Sequence, residues 1–187
     1  MRIITGIHRA KPILSDEKRN IRPTTGKIKE AIFNIISSKI GSFTGLNILD
    51  LCAGSGNLGL EALSRGAEYV LFIDNNPNAL RFIRQNITNF KEGNKAEIAH
   101  LDVANLPASI KRFNIIFFDP PYDQSNNLIK KTLERLISRN WLAEDAILII
   151  ESGPHYNTEE LTPILNKFEV KNYSNTKLII KDFGIDE

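Results

Sequence analysis

Short apolar runs alternate with longer amphipathic stretches through most of this chain, and the two periods predict its elements. Ile28, Ala31, Ile32, Ile35 and Ile36 recur at helical spacing, which predicts a helix over 27–39 capped by Thr24 or Thr25. Compact apolar runs then predict strands at 47–51, 69–74, 96–101, 113–118 and 146–151. Helices are predicted between them at 57–65, 77–90 and 126–139, the last from Leu128, Ile129, Leu133, Leu136 and Ile137. A short helix near 158–166 precedes 168–173 and 177–182, which read as an antiparallel pair about Ser174-Asn175. At the start, Arg2-Ile3-Ile4 and Pro12-Ile13-Leu14 can pair as a hairpin with Gly6 in or near its turn. Alternating strands and helices imply an α/β, doubly wound, mostly parallel sheet covered on both faces and made mixed by the closing pair. Residues 1–24 read as an N-terminal hairpin extension and 25–187 as the main domain.

The predicted strand 113–118 ends in Asp119-Pro120-Pro121-Tyr122. The first proline has no N–H to donate and cannot continue a central strand. Two prolines stiffen the turn, which carries a carboxylate, a carbonyl and an aromatic ring. Such a platform can hold a planar base with an exocyclic amine: Tyr122 stacks, while Asp119 and the Pro120 carbonyl accept from the amine. The plain alternative is a proline-terminated strand with a turn tyrosine.

A second motif changes the balance. The strand 47–51 runs into Cys52-Ala53-Gly54-Ser55-Gly56, and a helix follows. Strand, glycine-rich turn and helix form a nucleotide-cofactor fingerprint, with Ala53, Gly54, Ser55 and Gly56 at its centre. Gly54, Gly56 and Gly59 also satisfy the dinucleotide pattern, so this motif alone leaves NAD open. Asp50 argues for a cationic cofactor instead, because a negative charge there disfavours a pyrophosphate. S-adenosylmethionine carries an ammonium and a sulfonium. Asp74, with Asn75 beside it, lies eighteen residues past Gly56, about where an acid meets ribose hydroxyls. Asp74 to Pro77 also reads as a helix N-cap. Asp102 follows the third strand and is placed to meet the adenine amino group. Alone it reads as a loop acid. In the series Asp50, Asp74, Asp102, Asp119, four strands each end in an acid, where open α/β sheets bind ligands.

Composition adds bounds. The chain has 187 residues, 42% hydrophobic and 25% charged, which suits one folded domain. No run approaches the roughly 20 apolar residues of a membrane span, and the first residues lack a signal peptide's apolar centre. One cysteine excludes an internal disulfide, and with three scattered histidines it gives no metal spacing. Cys52 reads as a buried filler, and a cytoplasmic location is expected. Net charge is +2, but residues 1–30 carry eight Lys/Arg against three acids, leaving −3 for the remainder. A basic extension on a mildly acidic domain points to nucleic acid, with Arg2, Arg9, Lys11, Arg19 and Arg22 as candidate phosphate contacts. The bland alternative is a solvated hairpin.

The sequence resembles the bacterial methyltransferases that modify guanine N2 in 16S ribosomal RNA (RsmD-like), within the class I S-adenosylmethionine-dependent superfamily. The resemblance runs through Met1-Arg2-Ile3-Ile4, Arg22-Pro23-Thr24, residues 29–35, 50–56 and 58–67, Asn86, 119–122, and Tyr173 with Thr176 and Leu178. It implies a seven-stranded Rossmann-like sheet with an antiparallel edge strand and an N-terminal β-hairpin. It implies S-adenosylmethionine as cofactor, no metal, and 16S rRNA or a small-subunit assembly intermediate as partner, acted on by a monomer without membrane attachment. An N6-adenine DNA methyltransferase can use the same tetrapeptide, although little room exists for a target-recognition domain. A glutamine-N5 protein methyltransferase usually has Asn in place of Asp119. A non-catalytic ribosome-assembly module that binds RNA would be marked by loss of an acidic or glycine motif, and none is lost.

Overall fold

A computed structural model describes residues 1–15, 26–121 and 125–185. Helix α1 (Gly26–Ile40) leads to β1 (Asn47–Leu51), α2 (Asn57–Ser64), β2 (Tyr69–Asp74), α3 (Pro77–Phe90) and β3 (Ala96–His100). A single 3-10 turn, Val103–Asn105, precedes β4 (Phe113–Phe118), α4 (Ser125–Ser138) and β5 (Leu142–Ser152). Another 3-10 turn, Thr158–Leu161, joins the one-turn α5 (Thr162–Leu165), and β6 (Glu169–Tyr173), β7 (Thr176–Asp182) and a 3-10 turn at Phe183–Ile185 follow.

These strands form one sheet in the order β3-β2-β1-β4-β5-β7-β6. All neighbours from β3 to β5 are parallel. The strand that runs against the others is β7, paired antiparallel to both β5 and β6. It lies one place in from the edge. The reason is burial: Leu178, Ile179 and Ile180 of β7 are buried, whereas Glu169 to Asn172 of β6 are exposed. The polar strand takes the rim and the apolar one the interior.

Strand periodicity divides the core between two faces. Ile48, Phe72, Ile115, Phe117 and Ile149 pack with α1, α2 and α3, while Leu49, Ile73, Ile116, Phe118 and Ile150 pack with α4 and α5. Burying a side chain of this size contributes about 1.5–3 kcal/mol. Strand β5 begins four residues before the expected Ala146. Leu142 pairs with Phe113, then the register shifts before Ile115 meets Ile147. Exposed Glu144 and Asp145 sit in that irregularity, and their polarity hid the strand's start.

The N-terminal segment forms the expected hairpin in part. One antiparallel bridge joins Arg2 and Pro12, and Ile3, Ala10 and Ile13 donate backbone hydrogen bonds across it. The hairpin is built into the fold, because Ile3 and Ile13 belong to the first core. At Gly6 the φ is +92°, and a Cβ would stand 1.8 Å from the Ser64 carbonyl oxygen. Only glycine permits that approach. The expected boundary at residue 24 and the caps Thr24 and Thr25 lie outside the described residues. Among the described residues no helix is long and apolar enough to cross a membrane.

Candidate active site at the carboxyl end of the sheet

The strand order reverses between β1 and β4. Chain connections leave in opposite directions there, opening a crevice beyond the strands' carboxyl ends. Leu51 pairs with Phe118, so the glycine turn and the Asp119-Pro120-Pro121 turn leave neighbouring strands at one level. The Asp119 N–H approaches the Leu51 carbonyl at 3.5 Å, and Pro120 is buried behind it. Tyr122 lies outside the described residues.

The turn after β1 is left-handed at three places: Cys52 (φ 56°), Gly54 (φ 57°) and Gly56 (φ 79°). Gly56 serves as the N-cap of α2 without a side-chain cap. Cys52 is not glycine, and its positive φ costs of order 1 kcal/mol or more. It is half-buried and packs against the second core, so it is a strained turn residue as well as the filler expected. The Ala53 N–H holds the turn to β2 through the Ile73 carbonyl at 3.1 Å. Gly59 allows α2 to lie on β2, since a Cβ there would stand 2.3 Å from the Phe72 ring.

Asp74 also shapes this turn. Its carboxylate accepts from the Gly54 N–H at 2.9 Å and from the Asn76 N–H at 2.8 Å. Asn76, not Asp74, is the side-chain cap of α3, accepting from the Asn78 N–H. The Asn75 carbonyl lies 3.0 Å from His100 Nε2 at the end of β3. Asp102 is exposed and caps the 3-10 turn, accepting from Ala104 N–H and Asn105 Nδ2.

Asp50 departs most from expectation. It shares the face of Ile48 rather than the open strand end, so its carboxylate runs under α2 and accepts from the Gly59 N–H at 2.8 Å. It is only 2% exposed. Burial pushes its pKa up to about 8, the Gly59 bond lowers it, and the Asp74 charge raises it. At neutral pH a raised pKa of this size keeps much of Asp50 protonated.

One side chain registers all four acids. The Cys52 thiol is pushed well above its ordinary value by burial, then by the charges of Asp74, Asp119, Asp50 and Asp102. The four acids thus lie near enough to the turn for their charges to act on it, Asp50 from beneath α2. Where a Cβ on Gly54 would stand, only the Cys52 carbonyl comes as near as 4.0 Å. An open backbone turn braced by the Asp74 carboxylate, with the other acids nearby, fits a ligand with ammonium, sulfonium, ribose and adenine groups. Among the described residues no three His, Cys, Asp or Glu are grouped to hold a metal ion.

The basic extension is placed differently from side chain to side chain. Arg2 and Arg9 are exposed, and Arg2 Nη1 also donates to the Ala10 carbonyl at 3.1 Å. Lys11 turns inward, donating to the Asn89 carbonyl at 2.7 Å and lying over the Phe90 ring. Arg19 and Arg22 lie outside the described residues.

Several polar residues entered the sequence reading only through the resemblance, with no role assigned to them. Lys29, Glu61 and Asn86 are buried on helices, each on a face otherwise apolar. A polar residue inside an apolar stripe was the signal available for them. Beyond β5, the Ser152 and Tyr156 hydroxyls are buried without a hydrogen-bond partner among the described residues, and nothing in the local sequence marks them.

YlbH of Bacillus subtilis is 36% identical over 96% of this chain and 97% of its own length. The ribosomal RNA small subunit methyltransferase D of Haemophilus influenzae is 33% identical over 81% of this chain and 78% of its own. The solved structure of yhhF from Escherichia coli matches with a TM-score of 0.78 at 26% identity, covering 97% of each chain. Residues 1–181 match the family described as conserved hypothetical protein 95, so the chain belongs to that family and is an RsmD-like class I S-adenosylmethionine-dependent methyltransferase.

Proposed function

We propose that this chain transfers a methyl group from S-adenosylmethionine to the exocyclic N2 of a guanine in 16S rRNA. The observation that carries the reading is the pairing of Leu51 with Phe118, which sets the cofactor turn beside Asp119-Pro120. The relatives named for small-subunit rRNA methylation support the substrate. The cofactor, when bound, supplies a methyl group already activated on a sulfonium.

The chain's residues do the rest. Asp74 holds the ribose hydroxyls, Asp102 accepts from the adenine amino group, and Ala53 to Gly56, with Asn75, offer backbone to the cofactor. Asp50 supplies a charge for its cationic end. The N2 lone pair is delocalised into the guanine ring and is a weak nucleophile. Hydrogen bonds from the amine to Asp119 and to the Pro120 carbonyl localise that lone pair and aim it. Tyr122 stacks on the base, which must leave its helix to enter. Positioning supplies much of the rate, and the amine's proton leaves afterwards to Asp119 or water. The protein acts as a cytoplasmic monomer on the rRNA or an assembly intermediate of the small subunit.

Asp119→Ala tests this directly. Turnover should fall by about 3 kcal/mol, or roughly two orders of magnitude, as for one positioned polar group in a dry site, with cofactor affinity retained. Near-normal turnover would refute the role. Arg2, Arg9, Lys11, Arg19 and Arg22 are proposed to hold rRNA phosphates. Arg9, exposed on the hairpin, is the cleanest probe. Arg9→Gln should lower the slope of log affinity against log salt by roughly one, and an unchanged slope would leave Arg9 off the RNA. Deleting the whole hairpin is a poor test, because Ile3 and Ile13 would leave the core with it.

A further inference from the structure

Asn86 is fully buried on α3. Its face of the helix also carries Leu80, Ile83, Ile87 and Phe90. An apolar residue would pack there without the cost of desolvating an amide. The amide is instead fully engaged with two segments distant in sequence. Asn86 Oδ1 accepts from the Leu14 N–H at 2.9 Å, and Nδ2 donates to the Leu14 carbonyl at 2.9 Å. The same Nδ2 donates to the Ser55 carbonyl at 3.0 Å. One acceptor and two donors on a short stem are the inventory of asparagine. Leu14 ends the hairpin, and Ser55 stands in the middle of the cofactor turn.

The rest of the hairpin is docked on the same two helices. Ile4 and Thr5 N–H donate to the Glu61 carboxylate at 2.8 and 3.0 Å. Ile7 N–H and His8 N–H donate to the Ser64 carbonyl and hydroxyl oxygens. His8 Nε2 lies 2.6 Å from Glu92 at the end of α3. Those contacts hold the hairpin to the scaffold, whereas Asn86 ties it to the part of the scaffold that meets the cofactor.

We propose that Asn86 is a positioning residue that couples cofactor binding to docking of the N-terminal hairpin. A ligand on residues 53–56 restricts the Ser55 carbonyl. The Asn86 amide is then held, and with it both backbone polar atoms of Leu14. Coupling of this kind is reciprocal: whatever holds the hairpin tightens the cofactor turn by the same factor. The same hairpin carries the exposed Arg2 and Arg9, so the cofactor-loaded enzyme presents them on a firmer hairpin than the empty one. That last consequence rests on the rRNA reading above; the coupling itself does not.

The test is amide hydrogen exchange on the full chain, with and without saturating S-adenosylhomocysteine, with calorimetry of the same ligand in parallel. Local opening of the hairpin reports through the amides of Ile3, Thr5, Ala10, Ile13 and Leu14. Their protection should rise roughly fivefold or more, the lower end of ordinary coupling factors. Amides of β6, at the far edge of the sheet, should not change. In Asn86→Ser the ligand should still bind and the hairpin's gain should vanish. If that variant does not fold, Asn86→Asp makes the same test, since it keeps the acceptor for Leu14 and loses both donors. Ligand binding that leaves hairpin protection unchanged in the unaltered protein would overturn the coupling. A gain that survives in the variant would overturn the role of Asn86. An absence of binding heat would instead overturn the reading of residues 53–56 as the cofactor site, and the inference with it.

Discussion

Two buried carboxylates meet at α2, Glu61 on the helix and Asp50 beneath it on β1, and the chain treats them in opposite ways. Glu61, with no exposure, is matched on every side. Lys29 Nζ lies 3.1 Å from one oxygen and Arg65 Nε 3.0 Å from the other, and two hairpin N–H groups complete the set. Lys29 is matched in turn, donating also to the Arg2 carbonyl and Asn57 Oδ1. Burial holds Lys29 below the ordinary lysine value, Glu61 works to raise it, and Arg65 lowers it further. Asp50 is nearly as buried, yet among the described residues it has one backbone N–H and no ion pair. A buried charge that the chain itself neutralises is a fastening. For Asp50, which has no cation beside it among the described residues, the proposed one is the cationic end of S-adenosylmethionine.

Glu61→Gln should break this contrast most severely, since it leaves Lys29 buried beside a neutral amide. Losing one partner of a buried pair costs about 3–5 kcal/mol, readable as a lower denaturation midpoint. A loss well under 1 kcal/mol would mean that Glu61 is not the fastening described.

Asp50→Asn should act in the other direction. The folded pKa of Asp50 lies above its unfolded value, so the folded state binds the extra proton between about pH 4 and pH 8. The native protein therefore loses stability as pH rises through that window, by at most about 1.4 kcal/mol per pH unit. The amide variant escapes that loss. Its melting temperature relative to the native protein should climb from pH 5 to pH 8 and then level off, while its affinity for S-adenosylmethionine falls. A difference independent of pH would show that Asp50 keeps an ordinary pKa.

The smallest effect is a fraction of a proton. If the cofactor's cationic end draws Asp50 into its charged form, binding near pH 7 releases protons, and affinity rises with pH up to about 8. Calorimetry in buffers of different ionisation enthalpy should detect the release in the native protein and not in Asp50→Asn. Equal proton counts in both would separate Asp50 from the cofactor's charge.

Most elements were legible because local chemistry specifies them. Strands β1, β2 and β4 and helix α3 run over the expected residues, since compact apolar runs and Pro77 behind Asn76 need no distant partner to be read. The glycine turn and the proline turn were legible for the same reason: positive φ and a missing N–H are properties of single residues.

What local sequence determined about this protein was therefore its alternation of elements, its two turns and the acids at four strand ends. Only the tertiary structure decided where those acids point and what they meet. Asp50 was expected at the crevice because it ends a strand, but the two-residue period of β1 turns it beneath α2. Lys11 counted as a phosphate contact by charge, and the structure adds a hydrogen bond from its ammonium to the Asn89 carbonyl. Asn86, Lys29 and Glu61 drew no role from the sequence, because most of their partners are 27 to 72 residues away along the chain. Direction, burial and pairing arise only when helices and strands pack, and those three decide whether a charged side chain fastens the fold or waits for a ligand.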